Sequence, residues 1–280
     1  MHEAGEIGAG LYIVATPIGN AADMSPRAAA VLSAADVVLA EDTRRSGQLL
    51  ARLGVKAVRF VSLHEHNEAE RLPQVLDALR SGGVVALVSD AGTPLLSDPG
   101  YRLVAACREE GLRVSPVPGP CSFVAALSAA GLPPQPFVFL GFLPRGAGAT
   151  RNFLTPYATL PATLAFFERK TRLKASLGVA REVLGPRRVC IARELTKVHE
   201  EFILGDLDGL SRDCPELLGE ITVLVGPPQT LERADEADVD TVLAEESARG
   251  GKPREVARRA AARLPGVSAK DLYERLARKP

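Results

Sequence analysis

The sequence predicts an α/β protein made of two α/β domains and a short helical C-terminal module. Short apolar runs rich in valine alternate with helical patterns, which indicates a mostly parallel sheet with helices on both faces. The segment Leu132-Pro133-Pro134-Gln135-Pro136 then interrupts the regular structure. The charge changes sign near the end, from −6 over residues 229–248 to +7 over residues 249–280. We therefore expect domains at residues 1–121 and 122–228, followed by an acidic linker and basic helical tail at residues 229–280.

The first domain contains five predicted strands that alternate with helices. One helix begins after Ser25, because serine followed by Pro26 is typical of an N-cap with proline at the first helical position. Gly54 and Gly82 are placed to end two further helices. The predicted strands are residues 11–15, 37–40, 57–63, 84–88 and 113–117, and the predicted helices are residues 26–34, 48–53, 72–79 and 103–110.

Four of these strands end in loops rich in proline, glycine and polar side chains. The longest loop, residues 89–100, follows a valine-rich strand and contains two carboxylates, two prolines and two glycines. Because the carboxyl ends of parallel strands lie at one edge of the sheet, ligands bind preferentially there. The loops at residues 16–20, 41–45, 89–100 and 118–122 therefore predict a ligand site.

The second domain is expected to be α+β or α/β, with more hairpin-like strands. A helix over residues 122–130 leads into it, and a loop at residues 143–148 carries the basic residue Arg145. Further strands are predicted at residues 137–142, 163–167, 188–192 and 221–225, with a helix over residues 173–184. The tail is expected to be helical from Val239 onward.

Composition excludes several classes of protein. The 34 basic and 34 acidic residues balance, so the overall charge does not favour nucleic acid as a partner. The four cysteines lack the close spacing of a zinc or redox motif, which is typical of a reduced protein. We therefore expect a cytoplasmic protein without a membrane span. A glycine pattern for dinucleotides and a phosphate-binding P-loop are both missing from the sequence. His64 and His66 lack a third ligand nearby in sequence, so we expect no metal site.

Eight motifs occur in an order that resembles the tetrapyrrole methylase superfamily, in particular its branch that methylates ribosomal RNA. The resemblance covers residues 11–228, and the tail is similar to that branch's short helical module. One segment departs from the family pattern: Arg169, Lys170 and Thr171 stand where serine, proline and histidine are usual. The motifs are Thr16-Pro17-Ile18-Gly19-Asn20, Ala40-Glu41-Asp42-Thr43-Arg44, Leu63-His64-Glu65-His66-Asn67-Glu68, Ser89-Asp90-Ala91-Gly92-Thr93-Pro94, Ser97-Asp98-Pro99-Gly100-Tyr101, Pro118-Gly119-Pro120, Gly141-Phe142-Leu143-Pro144 and Arg193-Glu194-Leu195-Thr196-Lys197.

The resemblance implies a specific activity and cofactor. Members of that branch use S-adenosylmethionine to methylate the 2′-hydroxyl of a cytidine in the decoding region of small-subunit ribosomal RNA. The cofactor binds in a cleft between the two α/β domains, and the resemblance also implies a homodimer. The cofactor contacts carried over onto this sequence are Pro17, Ser89, Asp90, Thr93, Cys121, Ser122, Phe167, Glu168, Arg193 and Glu194.

Methylation of a ribose hydroxyl requires a proton acceptor. We expect that acceptor to be Asp42 or Glu41, with Asp42 favoured, because successive side chains of a strand point to opposite faces. Lys197 is the candidate for stabilising the developing alkoxide. Two alternatives remain open: methylation of a tetrapyrrole, and a ribosome-binding factor without catalysis.

Arginines supply the candidate contacts to RNA phosphates. Arg44 and Arg45 follow the second strand, and Arg145 lies in the loop of the second domain. Arg258 and Arg259 belong to the basic tail, where we expect arginines to surround an apolar stripe without pairing with nearby carboxylates. The tail would then deliver the RNA substrate. The alternative is a helical cap whose charge balances the acidic segment before it.

Overall fold

The computed structural model describes residues 7–228, 235–264 and 266–278, and it confirms the predicted α/β class. Residues 229–234, Pro265, the terminal residues 279–280 and the side chain of Arg278, all part of the predicted linker and tail, lie outside the described residues. Two five-stranded sheets form the body of the protein. Across the described ranges, no helix is both long and apolar enough to cross a membrane.

The first sheet is entirely parallel, and its strands lie in the order β3 Phe60–Ser62, β2 Val37–Ala40, β4 Val84–Leu87, β1 Gly10–Val14 and β5 Val114–Val117. The chain connection after β1 leads to one side of the sheet and the connection after the neighbouring β4 leads to the other. Ligands of open α/β sheets bind in the crevice at such a switch point. The first domain comprises strands β1 Gly10–Val14, β2 Val37–Ala40, β3 Phe60–Ser62, β4 Val84–Leu87 and β5 Val114–Val117, and helices α1 Pro26–Ala34, α2 Thr43–Arg52, α3 Glu68–Arg80 and α4 Tyr101–Glu109.

Capping side chains explain where two of these helices begin. The hydroxyl of Ser25 accepts a hydrogen bond from the main-chain N–H of Ala28, so α1 begins where the sequence predicts. The predicted start of α2 at residue 48 is wrong, because Asp42 accepts hydrogen bonds from the N–H groups of Arg44 and Arg45 and starts the helix at residue 43. Arg44 and Arg45 therefore lie in the first turn of α2.

The strands of the second sheet lie in the order β6 Phe137–Phe142, β7 Thr163–Arg169, β10 Glu220–Val225, β8 Arg188–Arg193 and β9 Glu201–Asp206. Of its strand pairs, β6–β7 is parallel and the other three are antiparallel. This agrees with the expected hairpin-like strands. The sequence interpretation missed α6 Ala147–Leu154, β9 and α8 Leu207–Arg212. The elements are α5 Ser122–Ala129, β6 Phe137–Phe142, α6 Ala147–Leu154, β7 Thr163–Arg169, α7 Leu173–Leu184, β8 Arg188–Arg193, β9 Glu201–Asp206, α8 Leu207–Arg212 and β10 Glu220–Val225.

The described part of the tail contains three helices, α9 Glu236–Ala248, α10 Pro253–Ala261 and α11 Ala269–Arg278. They enclose a small apolar cluster of their own. The cluster is formed by Val239, Leu243, Ala257, Ala260, Leu264 and Leu272. The helical tail that the sequence predicts is therefore confirmed, whereas the division of the chain at residues 121 and 228 stays a prediction.

Candidate active site

A cleft of about 710 Å³ lies between the carboxyl edge of the first sheet and the second domain. One wall comes from the loops after β1, β4 and β5, and the other from the ends of β6, β7, β8 and β10. Its size falls within the range of small-molecule sites, roughly 300–1,000 Å³. The first wall is formed by Ile18, residues 90–93, residues 96–98 and residues 121–123, and the second by Phe142, residues 167–171, Ala192, Leu195 and residues 219–222.

Main-chain pairing joins the loops after β1 and β4. Thr16 N–H donates to the Gly92 carbonyl at 2.9 Å, and Gly92 N–H donates to the Thr16 carbonyl at 3.0 Å. This bridge fixes the first wall of the cleft. Pro17 is buried behind that wall and is absent from its surface, as the described residues define it.

Aromatic rings form an apolar patch on the cleft wall. The rings of Phe123 and Phe139 stack with centroids 4.3 Å apart, and Phe167 meets Phe139 edge-on at 5.0 Å. Phe142 lies 5.4 Å from Phe167 and is half exposed. Such a surface suits the face of a flat heteroaromatic ring. Phe167, predicted from the family resemblance, therefore lies at the cleft.

The loop after β4 carries three of the predicted cofactor residues. Asp90 and Thr93 line the cleft, and the Thr93 hydroxyl donates to the Pro120 carbonyl at 3.0 Å, which ties this loop to the one after β5. Ser89 is buried, and its hydroxyl donates to the carbonyls of Ala91 and Gly92. Ser89 thus shapes the turn that presents Asp90.

Asp98 is a cleft residue to which the sequence interpretation gave no role. It follows Leu95 and Ser97, whose φ angles of 71° and 74° lie in the left-handed region that side chains rarely adopt. Such strain clusters at functional sites. Burial, followed by the nearby charges of Glu41 and Asp90, raises the pKa of the Asp98 carboxyl to about 6, against the opposing effect of the Ser89 hydroxyl.

The two predicted proton acceptors do not line the cleft defined by the described residues. The carboxylate of Asp42 caps α2, as described above, and the side chain of Glu41 is exposed. Asp42 is half-buried, and its main-chain N–H donates to Asp90 at 3.3 Å. A catalytic role for either residue stays a prediction.

Helix α5 presents its N-terminus to the cleft. Cys121 is its N-cap residue and makes no side-chain capping bond, and Cys121, Ser122 and Phe123 all line the cleft. The first N–H groups of a helix attract anions, since they have no partner within the helix. The predicted cofactor residues Cys121 and Ser122 therefore lie where an anionic group is favoured.

Glu168 lies at the cleft, but its side chain points into the second domain. The carboxylate is fully buried, accepts a short hydrogen bond from the Ser176 hydroxyl and lies 3.4 Å from the Arg172 guanidinium. Arg172 in turn donates to the carbonyls of Leu143 and Pro144 at 2.9 Å and 2.8 Å. Because its carboxylate is engaged inside the second domain, Glu168 can contact a ligand in the cleft only through its main-chain atoms.

Arg193, Glu194 and Lys197 form an ion-pair network outside the cleft lining. Arg193 pairs with Glu201 at 2.7 Å, and Lys197 Nζ lies 2.9 Å from Glu194 and 3.0 Å from Glu220. A main-chain hydrogen bond from Glu220, then one from Lys197, lowers the pKa of Glu194. These residues therefore hold the loop after β8 against β10, and their predicted ligand roles stay predictions.

Lys197 has two carboxylate partners, which keep it charged. Partial burial lowers the pKa of Lys197, but the hydrogen bonds to Glu194 and Glu220 outweigh burial and raise it above the usual value. Its Cγ lies only 2.5 Å from where a Cβ on Gly19 would stand. The N–H of Asn20 also donates to the Thr196 hydroxyl at 3.0 Å. The loops after β1 and β8 thus join the two domains beside the cleft.

The predicted RNA contacts of the body differ in their surroundings. Arg44 and Arg145 are exposed, whereas Arg45 donates a 2.9 Å hydrogen bond to Asp90. The sequence interpretation did not assign Arg169 and Lys170 to RNA, but both are exposed and line the cleft. The segment that departs from the family pattern therefore lies at the site itself.

The expectation that tail arginines avoid carboxylates is wrong. Glu246 is buried and forms ion pairs with three arginines, namely Arg249 at 2.8 Å, Arg259 at 2.9 Å and Arg263 at 2.8 Å. Hydrogen bonds from Arg259 and Arg263 lower the pKa of Glu246. These arginines close the helical tail on itself, which favours the helical-cap alternative, while Arg258 is exposed.

Nothing in the described ranges forms a group of three or more His, Cys, Asp or Glu side chains that could hold a metal ion. The rings of His64 and His66 lie 6.1 Å apart at the end of β3. The His64 main-chain N–H donates to Asn67 at 2.8 Å, as in a loop that leads into α3.

Fold and cleft together define a two-domain α/β protein of the class that binds a small molecule between its domains. The family described as Tetrapyrrole (Corrin/Porphyrin) Methylases matches residues 10–211. This range includes both walls of the cleft except residues 219–222 at the start of β10. The chain therefore belongs to the tetrapyrrole methylase family.

Curated relatives match nearly the full chain. A protein of Mesorhizobium japonicum is 48% identical over 95% of this chain and 90% of its own length. A protein of Mycobacterium tuberculosis is 44% identical, over 94% of this chain and 93% of its own. Both are named Ribosomal RNA small subunit methyltransferase I.

Solved structures share the fold at lower identity. A uroporphyrin-III C-methyl transferase from Thermus thermophilus, complexed with S-adenyl homocysteine, has a TM-score of 0.56 and is 21% identical over 78% of this chain and 97% of its own. A cobalt precorrin-4 methyltransferase has a TM-score of 0.56 and is 23% identical over 77% of this chain and 94% of its own. These two methyltransferases thus share the fold over about three quarters of this chain.

Proposed function

We propose that this protein transfers a methyl group from S-adenosylmethionine to the 2′-hydroxyl of a cytidine in the decoding region of small-subunit ribosomal RNA. Similarity along nearly the whole chain to relatives named Ribosomal RNA small subunit methyltransferase I carries the proposal. The finer elements, namely the 2′-hydroxyl, the cytidine and the decoding region, come from the motif resemblance. So does the homodimer, whereas the cytoplasmic location is the expectation drawn from the composition.

The cleft fits S-adenosylmethionine in size and chemistry. Its volume of about 710 Å³ accommodates a nucleoside with an amino-acid arm. The N-terminus of α5 at Cys121 and Ser122 would hold the carboxylate of that arm. The aromatic patch around Phe167 suits the adenine, and Asp90 supplies negative charge for the cationic groups. When bound, the cofactor supplies an electrophilic methyl group.

The protein's own side chains then bind and orient the RNA. Arg169 and Lys170 lie exposed at the cleft, where they can contact the phosphates that flank a nucleotide inserted into it. Arg44 and Arg145 are exposed and provide further positive charge. Transfer to an oxygen requires that the hydroxyl lie in line with the methyl group, so positioning between the two walls contributes much of the rate.

An in vitro transfer assay tests this proposal. The full chain is incubated with methyl-labelled S-adenosylmethionine and small ribosomal subunits that lack the modification, and the RNA is digested to nucleosides. We expect the label in 2′-O-methylcytidine. Label in another nucleoside, or transfer to a tetrapyrrole precursor instead of RNA, contradicts the proposal. Subunit binding without any transfer would indicate the non-catalytic alternative.

A further inference from the structure

We infer that Asp98 is the catalytic base of the methyl transfer and takes the proton of the substrate hydroxyl. The inference rests on the proposed function and names a residue that the motif-based candidates Asp42 and Glu41 do not include. It follows from three features of the cleft: the carboxylates that line it, their partners, and the backbone that holds Asp98.

Four acidic residues line the cleft in the described part of the chain, and three of them are paired with a basic side chain. Asp90 pairs with Arg45 at 2.9 Å, and Glu220 pairs with Lys197 at 3.0 Å. The buried carboxylate of Glu168 lies 3.4 Å from Arg172 and is hydrogen-bonded to Ser176. Among residues 7–228, 235–264 and 266–278, Asp98 has no ion-pair partner, so it is the lining carboxylate that is available to a substrate.

The surroundings of Asp98 make it a stronger base than an ordinary carboxylate. It is half buried, and Glu41 and Asp90 lie close enough to disfavour its negative charge. Burial and these two charges raise the pKa of Asp98 to about 6, so at pH 7 to 8 the group is ionised and still has high affinity for a proton. This combination is typical of general bases.

The backbone around Asp98 is held in a fixed and strained conformation. Leu95 and Ser97 both have positive φ, and Gly100 has a φ of 119°. A Cβ on Gly100 would lie 2.5 Å from Leu87 Cδ2, so the loop is pressed against β4. Strain of this kind persists where the surrounding structure fixes a functional group in place.

The proposed step balances in atoms and electrons. The O–H bond of the hydroxyl breaks, and its proton bonds to a carboxylate oxygen of Asp98. The oxygen forms the new bond to the methyl carbon with its own electron pair. The carbon–sulfur bond of the donor breaks, and its electron pair stays on sulfur, which becomes a neutral thioether. Solvent then removes the proton from Asp98.

Single-turnover kinetics of Asp98→Asn at saturating cofactor and subunit test the inference. The wild-type protein must first transfer methyl to RNA, since failure there overturns the proposed function itself. We expect the variant to be at least about 100-fold slower at pH 8, with cofactor affinity by calorimetry within about threefold of wild type. Asp77→Asn, which removes an exposed carboxylate on α3, is the matched control and should react at the wild-type rate.

The pH dependence separates a base from a merely structural carboxylate. The wild-type rate should rise tenfold per pH unit up to a midpoint near 6, and Asp98→Asn should lose this rise, whereas Asp98→Glu should retain it. A second readout needs neither cofactor nor RNA: the carboxyl carbon shift of Asp98 in the unloaded protein should titrate near pH 6, and Glu41→Gln should lower that midpoint.

Three results would overturn the assignment. They are a wild-type rate in folded Asp98→Asn, a carboxyl midpoint near 4 that Glu41→Gln leaves unmoved, and a rate loss confined to Asp42→Asn. The titration keeps the inference testable if Asp98→Asn fails to fold.

Discussion

The guanidinium of Arg45 donates a 2.9 Å hydrogen bond to the carboxylate of Asp90. The other oxygen of Asp90 accepts the main-chain N–H of Asp42 at 3.3 Å. Asp90 therefore joins the first turn of α2 to the loop after β4, and both belong to the carboxyl edge of the parallel sheet. Loss of this carboxylate would remove charge from the cleft and loosen its first wall.

We predict that Asp90→Ala weakens S-adenosylmethionine binding by roughly 10- to 100-fold, the usual effect of losing a hydrogen bond to a charged group. The fold should survive, because the Arg45 side of the pair is exposed to solvent, where an ion pair contributes little to stability. Calorimetry measures the affinity, and a thermal melt checks the fold. Asp77→Ala serves as the control, and wild-type affinity in a folded Asp90→Ala protein would refute this role.

The second prediction concerns the contact between the loops after β1 and β8. A Cβ on Gly19 would stand 2.5 Å from Lys197 Cγ and 2.9 Å from the Leu195 carbonyl, so an alanine forces the two domains apart locally. We expect Gly19→Ala to lower the free energy of unfolding by about 1–3 kcal/mol, as overpacked sites do. Urea denaturation measures the change.

Gly178→Ala is the matched control for this substitution. Gly178 lies inside α7, and a Cβ there would have no neighbour within 4 Å. Alanine should stabilise the helix by up to about 1 kcal/mol. Equal effects of the two substitutions would show that the contact at Gly19 is not tightly packed.

The third prediction links Asp98 to the stability of the protein. A carboxyl whose pKa is raised on folding destabilises the folded state when ionised, so the cost is present above pH 6 and vanishes below about pH 4. The shift sets a ceiling of about 3 kcal/mol, and partial solvation reduces this to about 1 kcal/mol. Asp98→Asn should therefore be more stable than wild type at pH 8.

Urea denaturation at pH 8 and pH 5 measures this difference. The advantage of Asp98→Asn should be larger at pH 8, because wild-type Asp98 is mostly protonated at pH 5. An advantage that is the same at both pH values, or a variant less stable at pH 8, contradicts the raised pKa.

The fourth prediction concerns the tail. Glu246→Gln removes the charge that Arg249, Arg259 and Arg263 share, so α9 and α10 should open more often. Hydrogen exchange should become faster in these two helices and remain unchanged in β1 and β4. The affinity for S-adenosylmethionine should not change. Unaltered exchange in α9 and α10 would show that the buried carboxylate does not hold the tail together.

Elements defined by local sequence were predictable. Apolar valine runs gave β2 and β4, and the Ser25-Pro26 pair gave the start of α1, because capping depends on neighbouring residues only. The clustering of loops at one sheet edge followed from parallel topology. The family resemblance supplied Asp90, Thr93, Cys121, Ser122 and Phe167 as cofactor contacts, and these five residues line the cleft.

Features that depend on distant partners were not predictable. Strand β9 is half exposed and exists through its pairing with β8, so its own sequence carries a weak signal. Asp98 lies at the cleft in a loop where Leu95 and Ser97 adopt positive φ, a conformation that no local rule predicts for these residues. Glu246 pairs with Arg263, which lies 17 residues further along the chain. This pairing contradicts the expectation that the tail arginines do not pair with carboxylates.

Mapping of ribose methylation in small-subunit RNA tests the central claim most directly. Unmodified subunits are incubated with S-adenosylmethionine and either the wild-type chain or Asp98→Asn, and every 2′-O-methyl position is then mapped. The account predicts one new position in the wild-type sample, at a cytidine of the decoding region, and a much weaker signal there with Asp98→Asn. A methyl group on a base, at a nucleotide outside that region, or at equal level with both proteins would contradict it.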